Sequence, residues 1–286
     1  MTSPRDILKL IMLGAIWGSS FIFMRLSCPI LGAMVVTDAR IILAALSMIC
    51  FCAVTSLAMR WKENWRHFLV VGLTNSAIPY FLFAHAALYI PAGYSAILNA
   101  TSPFFGAVLA AWWLRDRLTY RKIAGLFLGF SGVAVVSAHG AVTMSVASVI
   151  AIAGCLVASL CYAIVALYIK TYASHVQPAV LGAGGLSVAS ILLLPFAVYQ
   201  LPPFEVVTLV SIVSVLVLGV ACTALAVFVY YQLIKNIGPS KALTVTFLIP
   251  IFGIVWATLF LGESITTHIL AGCALIITGM YLVLRT

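Results

Sequence analysis

Charge is what this chain has least of. Aspartate, glutamate, lysine and arginine make up 7% of its 286 residues, and only six of those are acidic. A soluble domain carries about 25% charged residues, so this chain has too few to cover a surface in water. The connections between its apolar runs are short, which leaves no separate soluble domain. Its seven cysteines, Cys28, Cys50, Cys52, Cys155, Cys161, Cys222 and Cys273, include no CxxC pair. They read as small apolar packing residues, neither metal ligands nor a disulfide framework. No HExxH, no GxSxG and no pair of mid-span aspartates occurs, which argues against an intramembrane enzyme, and no cofactor is expected.

What is present is apolar length. The chain is 64% hydrophobic with a mean hydropathy of +1.22. Its apolar runs approach the roughly 20 residues that cross a hydrocarbon core, and they lack the alternation of barrel strands about 10 residues long. The first run, Ile7 to Leu26, has no small-residue cleavage site and leads straight into another, so it reads as a span. The sequence predicts an all-α integral membrane protein of ten transmembrane helices, at 7–26, 33–57, 67–89, 93–114, 121–138, 146–169, 178–199, 207–234, 239–261 and 267–285.

The net charge of +9 does not indicate a nucleic-acid partner, because the basic residues stand singly or in small groups between spans. Arg5, Lys9, Arg60, Lys62, Arg66, Arg115, Arg117, Arg121, Lys122, Lys170, Lys235, Lys241 and Arg285 fall on one side. The loops around Pro91, Gly140, Pro202 and Ser264 hold no Lys or Arg, and only Arg25 and Arg40 lie toward that face. The positive-inside rule then puts both termini in the cytoplasm.

An internal repeat runs through the chain at an offset of 147. Pro103 falls on Pro250, Phe105 on Phe252, Gly106 on Gly253, Asp116 on Glu263, Gly125 on Gly272 and Gly132 on Gly279. The register extends back to Gly72 over Gly219. Residues 7–138 and 146–285 are therefore two units of five spans. An odd number of spans inverts the second unit relative to the first, and inverted repeats place a substrate site near the midplane between the halves.

Three prolines interrupt spans. A proline donates no hydrogen bond to the carbonyl four residues earlier. Pro103, Pro250 and Pro79 would free the carbonyls of Asn99, Thr246 and Asn75. Unmet carbonyls are tolerated in a membrane only against protein or a wet cavity. These helix-breaking positions, with Asn99, Asn75 and Thr246, are therefore expected to line a central pathway.

The segments WGSSFIFMRL in the first span, TDARIILAAL around Arg40, and the paired P-F-F-G…L-x-D-x-L-T and P-I-F-G…L-G-E-S-I-T resemble the drug/metabolite transporter superfamily, EamA type, over essentially the whole chain. Asp116 stands where that family usually has glutamate. The resemblance implies a ten-helix inverted repeat in a bacterial cytoplasmic membrane. It also implies a cavity formed by spans one, three, four, six, eight and nine, and export or exchange of small metabolites, often amino acids.

The remaining site candidates follow. Trp17 lies mid-span among Gly18, Ser19 and Ser20, which permit close helix approach. Tyr80 and His85 lie on a cavity span, although Asn75 and Tyr80, five apart, share an α-helical face poorly. Ser159 and Tyr162 are three apart on one face. Of Tyr230, Tyr231 and Gln232, at most two face inward. Asp38 and Arg40 are a costly pair inside a span, with coupling or structural roles, and Arg40 is expected to pair with Asp38 or with carbonyls of a neighbouring helix. Gly125, Gly129 and Gly132 form a stripe for packing within the chain or for a homodimer.

With Asp38 or His85 as the only available proton relay, facilitated exchange or weakly coupled export is expected. The cavity is expected to be aromatic-rich and nearly uncharged, favouring neutral or amphipathic small-molecule substrates. An uptake carrier of the same fold is the alternative, and a non-transporting scaffold the rival class.

Overall fold

A computed structural model describes residues 3–90, 95, 98–115, 119–137, 145–261 and 267–284. The expectations for Asp116, Glu263, Arg117 and Arg285, and for the loops around Pro91, Gly140 and Ser264, lie outside the described residues.

Described in chain order, the helices are α1 (Pro4–Leu31), α2 (Ala33–Val54), α3 (Trp61–Val71), α4 (Ile78–Ala86), α5 (Ser102–Trp113), α6 (Tyr120–Ser137) and α7 (Val146–Thr171). They continue as α8 (Pro178–Tyr199), α9 (Leu209–Gly219), α10 (Ala226–Ile237), the short α11 (Pro239–Ala242), α12 (Val245–Leu261) and α13 (Thr267–Leu284). Six helices are long and apolar enough to cross a membrane, with α3–α4 and α9–α10 each counted as one continuous helix. The shorter α5, α6, α11–α12 and α13 occupy the stretches of the other four predicted spans.

Local chemistry sets the ends. The Ser3 hydroxyl accepts from the Asp6 backbone N–H ahead of Pro4, and Ser145–Ser148 and Thr208–Ser211 form reciprocal capping boxes. Gly32 and Gly238, at φ 83° and 85°, take the left-handed turns between α1 and α2 and between α10 and α11, where a Cβ would strain the backbone. Hydroxyls within the spans are carried by bonding back to their own helix, as Ser27 does to Phe23, Thr37 to Ala33 and Ser187 to Ala183. Leu46, Val108, Ile191 and Leu216 are exposed on the outside of the bundle, as a lipid-facing surface requires.

Packing follows an approximate two-fold. Helix α2 packs on α8 and α6 on α13, while α1 against α10 and α12 mirrors α7 against α4 and α5. Single contacts exchange in the same way. A Cβ on Gly125 would stand 2.7 Å from the Gly279 carbonyl oxygen, and one on Gly132 would stand 2.6 Å from that of Gly272. The 147 offset converts each of these contacts into the other. The glycine stripe of α6 is thus occupied by α13 of the same chain.

Two features were not visible in the sequence. Gly72–Ala77 and Val220–Leu225 are π-helical turns, at equivalent places in the two repeats to within one residue. Each follows or begins at a glycine held against another helix: a Cβ on Gly72 would meet the Gly185 carbonyl at 2.5 Å, and one on Gly219 the Arg40 carbonyl at 3.1 Å. One proline also sits differently from expectation. Pro103 lies in the first turn of α5, where a missing N–H costs nothing, whereas Pro79 follows the first π turn inside the continuous α3–α4 helix and Pro250 stands inside α12.

Candidate functional site

Between the two halves lies a cavity with about 670 Å³ of atom-free space, part of it open to solvent. Its lining residues come from both repeats. Trp17, Arg40, Asn75, Tyr80 and Asn99 are contributed by the first, and Tyr162, Tyr230 and Thr246 by the second. Sequence reasoning overlooked Ser20, Phe21, Met24, Phe83, Leu243, Val245 and Ile249, which complete the wall. Phe83 and Tyr230 are separated by the repeat offset, so an aromatic stands at the equivalent place in each half.

The π turns shape this wall. A π turn spaces neighbours on one face by about five residues. Ile78 N–H accordingly donates to the Leu73 carbonyl, five back. That spacing corrects the expectation for Asn75 and Tyr80: five apart, they share the cavity because the helix between them is locally widened. In the second half, the indole Nε1 of Trp17 donates to the Cys222 carbonyl within the π turn, at 3.1 Å. The Trp17 ring meets Tyr230 edge-on, with centroids 5.3 Å apart. Tyr162 lies parallel to Phe83 at 6.1 Å.

Asn99 stands beside a helix break. After Leu98 and Asn99 the chain turns at Ala100–Thr101 and restarts as α5. The carbonyls at this break are not left open to the cavity, as the proline argument had suggested. Ser102 Oγ donates to the Asn99 carbonyl at 2.7 Å, and Thr101 Oγ1 and Ser159 Oγ donate to that of Leu98 at 2.6 and 2.9 Å. What remains open is the Asn99 side chain: its Oδ1 is buried without a hydrogen-bond partner among the described residues. A second break falls at Leu243–Thr244, where the hydroxyls of Thr244 and Thr246 donate to the carbonyls of Lys241 and Leu243.

Three expected site residues are not brought to the cavity. Ser159 is fully buried and its hydroxyl is spent on Leu98, tying α7 to the break in the first half. His85 lies in an aromatic ladder with Phe81 and Tyr89, at 5.8 and 4.9 Å, away from the lining. Asp38 is buried with Oδ1 unpartnered among the described residues, and it does not pair with Arg40. Two residues apart on α2, they point to nearly opposite sides. Tyr231 is buried in the core behind the cavity, and Gln232 accepts from Lys9 Nζ at 2.9 Å.

Arg40 is the charged residue of a cavity expected to be nearly uncharged. It is 5% exposed and lines the wall. Its Nε and Nη2 donate to Thr223 Oγ1 at 3.1 and 2.9 Å, and its guanidinium lies over the Tyr80 ring, 4.3 Å from the centroid. Thr223 belongs to the second π turn and itself donates to the Leu218 carbonyl at 2.7 Å. The first repeat's cation is thus held by the second repeat's widened helix.

An all-α membrane bundle of two inverted halves, with a polar and aromatic cavity between them, has the architecture of a membrane transporter. The EamA-like transporter family profile matches residues 5–138 and again 149–285, and the chain belongs to that family. It is 32% identical over 275 residues to the uncharacterized transporter YvbV of Bacillus subtilis (strain 168), covering 96% of this chain and 88% of that protein. It is 26% identical to a probable amino-acid metabolite efflux pump of Salmonella typhimurium (strain LT2), covering 98% and 95%. A solved crystal structure superimposes with a TM-score of 0.79 at 15% identity, covering 97% of this chain and 96% of that one, a likeness of fold.

Proposed function

We propose that this protein is a secondary transporter that moves small amphipathic metabolites, amino acids or close relatives, across a bacterial cytoplasmic membrane by alternating access. Export or exchange is the favoured direction, in keeping with the name of the efflux-pump relative. The observation that carries the reading is the shared wall: Trp17, Asn75, Tyr80 and Asn99 face Tyr162, Tyr230 and Thr246 across one cavity. Rocking of the unit 7–138 against 146–285 would open that cavity to each side in turn. The basic residues at one end of the bundle support cytoplasmic termini.

Aromatic walls with a few polar groups suit an apolar body carrying polar ends. Asp38, off the cavity wall, offers little to a proton relay, which favours exchange over strong coupling.

Counterflow in proteoliposomes tests the proposal. Vesicles loaded with an unlabelled neutral amino acid should draw in the labelled compound transiently above equilibrium. A panel of amino acids giving no overshoot with correctly folded protein counts against transport of this class.

A further inference from the structure

The fixed cation in the cavity has no anion among the described residues. Among the described residues the ion pair recorded is Arg60–Glu63 at the exposed end of the bundle. Arg40 meets a hydroxyl, a thioether and a ring, none carrying a full negative charge: Thr223 Oγ1, Met24 Sδ 3.8 Å from Nη1, and Tyr80. A guanidinium cannot shed its proton. An ionised group inside a membrane is costly unless it is paired or wet.

The geometry also says which edge is in use. Thr223 takes Nε and Nη2, the side of the guanidinium fork. Among the described residues the hydrogen-bond partner of Nη1 is the Met24 sulfur, a weak acceptor. The end formed by Nη1 and Nη2 can take a carboxylate through two parallel hydrogen bonds. A second open group lines the same cavity. Asn99 is 6% exposed and its Oδ1 is a buried acceptor with no partner among the described residues.

We infer that Arg40 is the carboxylate-binding residue of the transport cavity, and that the ligand is an α-amino acid whose ammonium is accepted by Asn99. The inference rests on the transporter reading and narrows it. A single cation matches a monoanionic carboxylate. Thr223 acts as a positioning residue, holding the guanidinium from the opposite repeat. The aromatic wall of Trp17, Tyr80, Phe83, Tyr162 and Tyr230 receives the side chain. By the helix registers, 33 with 178 and 54 with 199, the counterpart of Arg40 in the second repeat is Gly185. The pseudosymmetric cavity therefore has one anion-binding wall, which orients the ligand.

The test needs no variant at first. Neutral L-amino acids are screened by thermal shift on the detergent-purified protein, together with their α-carboxamides and the corresponding decarboxylated amines. The acids should bind about ten- to hundred-fold more tightly than their amides or amines, the loss expected for one charge-assisted contact. Arg40→Gln should erase that preference, and Arg40→Lys should keep it with weaker binding. An amide or amine that binds as well as its acid overturns the inference, and so does a folded Arg40→Gln protein that still prefers acids. Counterflow separates this from the wider reading. If amines exchange as well as acids, transport stands and the role of Arg40 falls. If acids bind but nothing exchanges, transport falls and Arg40 remains an anion site. If nothing binds and nothing exchanges, both fall.

Discussion

Gly279→Ala places a single methyl where nothing can yield. The added Cβ would stand 2.4 Å from the Gly129 nitrogen, 2.5 Å from the Gly125 carbonyl oxygen and 2.8 Å from the Gly129 Cα. All three are backbone atoms, so no side chain can rotate away. An ordinary contact begins near 3.4 Å, so the α6–α13 crossing must open by about 1 Å, and a gap of that size forfeits about half of each dispersion contact. The equivalent crossing of Gly132 and Gly272 lies on the same two helices and opens with it. Overpacking of this kind costs about 3 kcal/mol, the upper end of the usual range. Gly253→Ala is the matched control, because its added Cβ would stand 4.0 Å from the Gly18 oxygen, an ordinary distance. The assay is the apparent melting temperature of both variants in the same detergent, at one scan rate because membrane proteins often unfold irreversibly. Gly279→Ala should melt several degrees lower and Gly253→Ala close to wild type. Equal melting temperatures would refute the close crossing of the two glycine stripes.

Three further outcomes follow from the site. Trp17→Phe keeps an aromatic ring against Tyr230 but removes the indole donor to the Cys222 carbonyl. It should cost about 1 kcal/mol of stability and raise the half-saturation concentration in counterflow; an unchanged value would remove Trp17 from the binding wall. Ser159→Ala should lower the melting temperature by a similar interaction energy, about 1 kcal/mol, while leaving ligand affinity alone, because its hydroxyl serves the Leu98 carbonyl and not the cavity. At the basic end, Lys9–Gln232 and Asn236–Asp6 join α1 to α10 at 2.9 and 3.1 Å. Gln232→Ala with Asn236→Ala should increase the population open at that end about thirtyfold, at about 1 kcal/mol per bond removed. Faster alkylation of buried Cys222 with exposed Cys50 unchanged would report it, and an unchanged Cys222 rate would speak against a latch.

The fold was readable in the sequence because two signals are crude and strong. Bilayer length and the scarcity of charge define the spans, and a 147-residue register pairs Pro103 with Pro250 and Gly125 with Gly272. The site was harder, for a physical reason: lipid and protein interior are both apolar, so periodicity barely separates a cavity-facing Phe83 or Met24 from a lipid-facing neighbour. Polar residues stood out but did not reveal their partners. Ser159 read as a cavity residue because the helix break that consumes its hydroxyl lies 61 residues away in sequence. Asn75 and Tyr80 were separated by an α-helical ruler that a π turn does not obey. Equivalent glycines at 72 and 219, each pressed onto another backbone, were the available hint of those turns. Arg40 was found, but only the structure gives it Thr223 and Tyr80 in place of Asp38.

The central claim is that two inverted halves expose one cavity alternately at opposite ends. Helices α1 and α7, equivalent across the cavity, carry exposed residues at both ends: Leu8 with Thr171 at the basic end, Leu26 with Val149 at the other. Spin labels on cysteines introduced at each pair, in reconstituted protein, measure the two distances as an exchangeable amino acid is added. Opposite changes, one pair separating as the other approaches, are the predicted result. Distances that stay fixed, or that move in the same sense, while the same vesicles exchange label would contradict it.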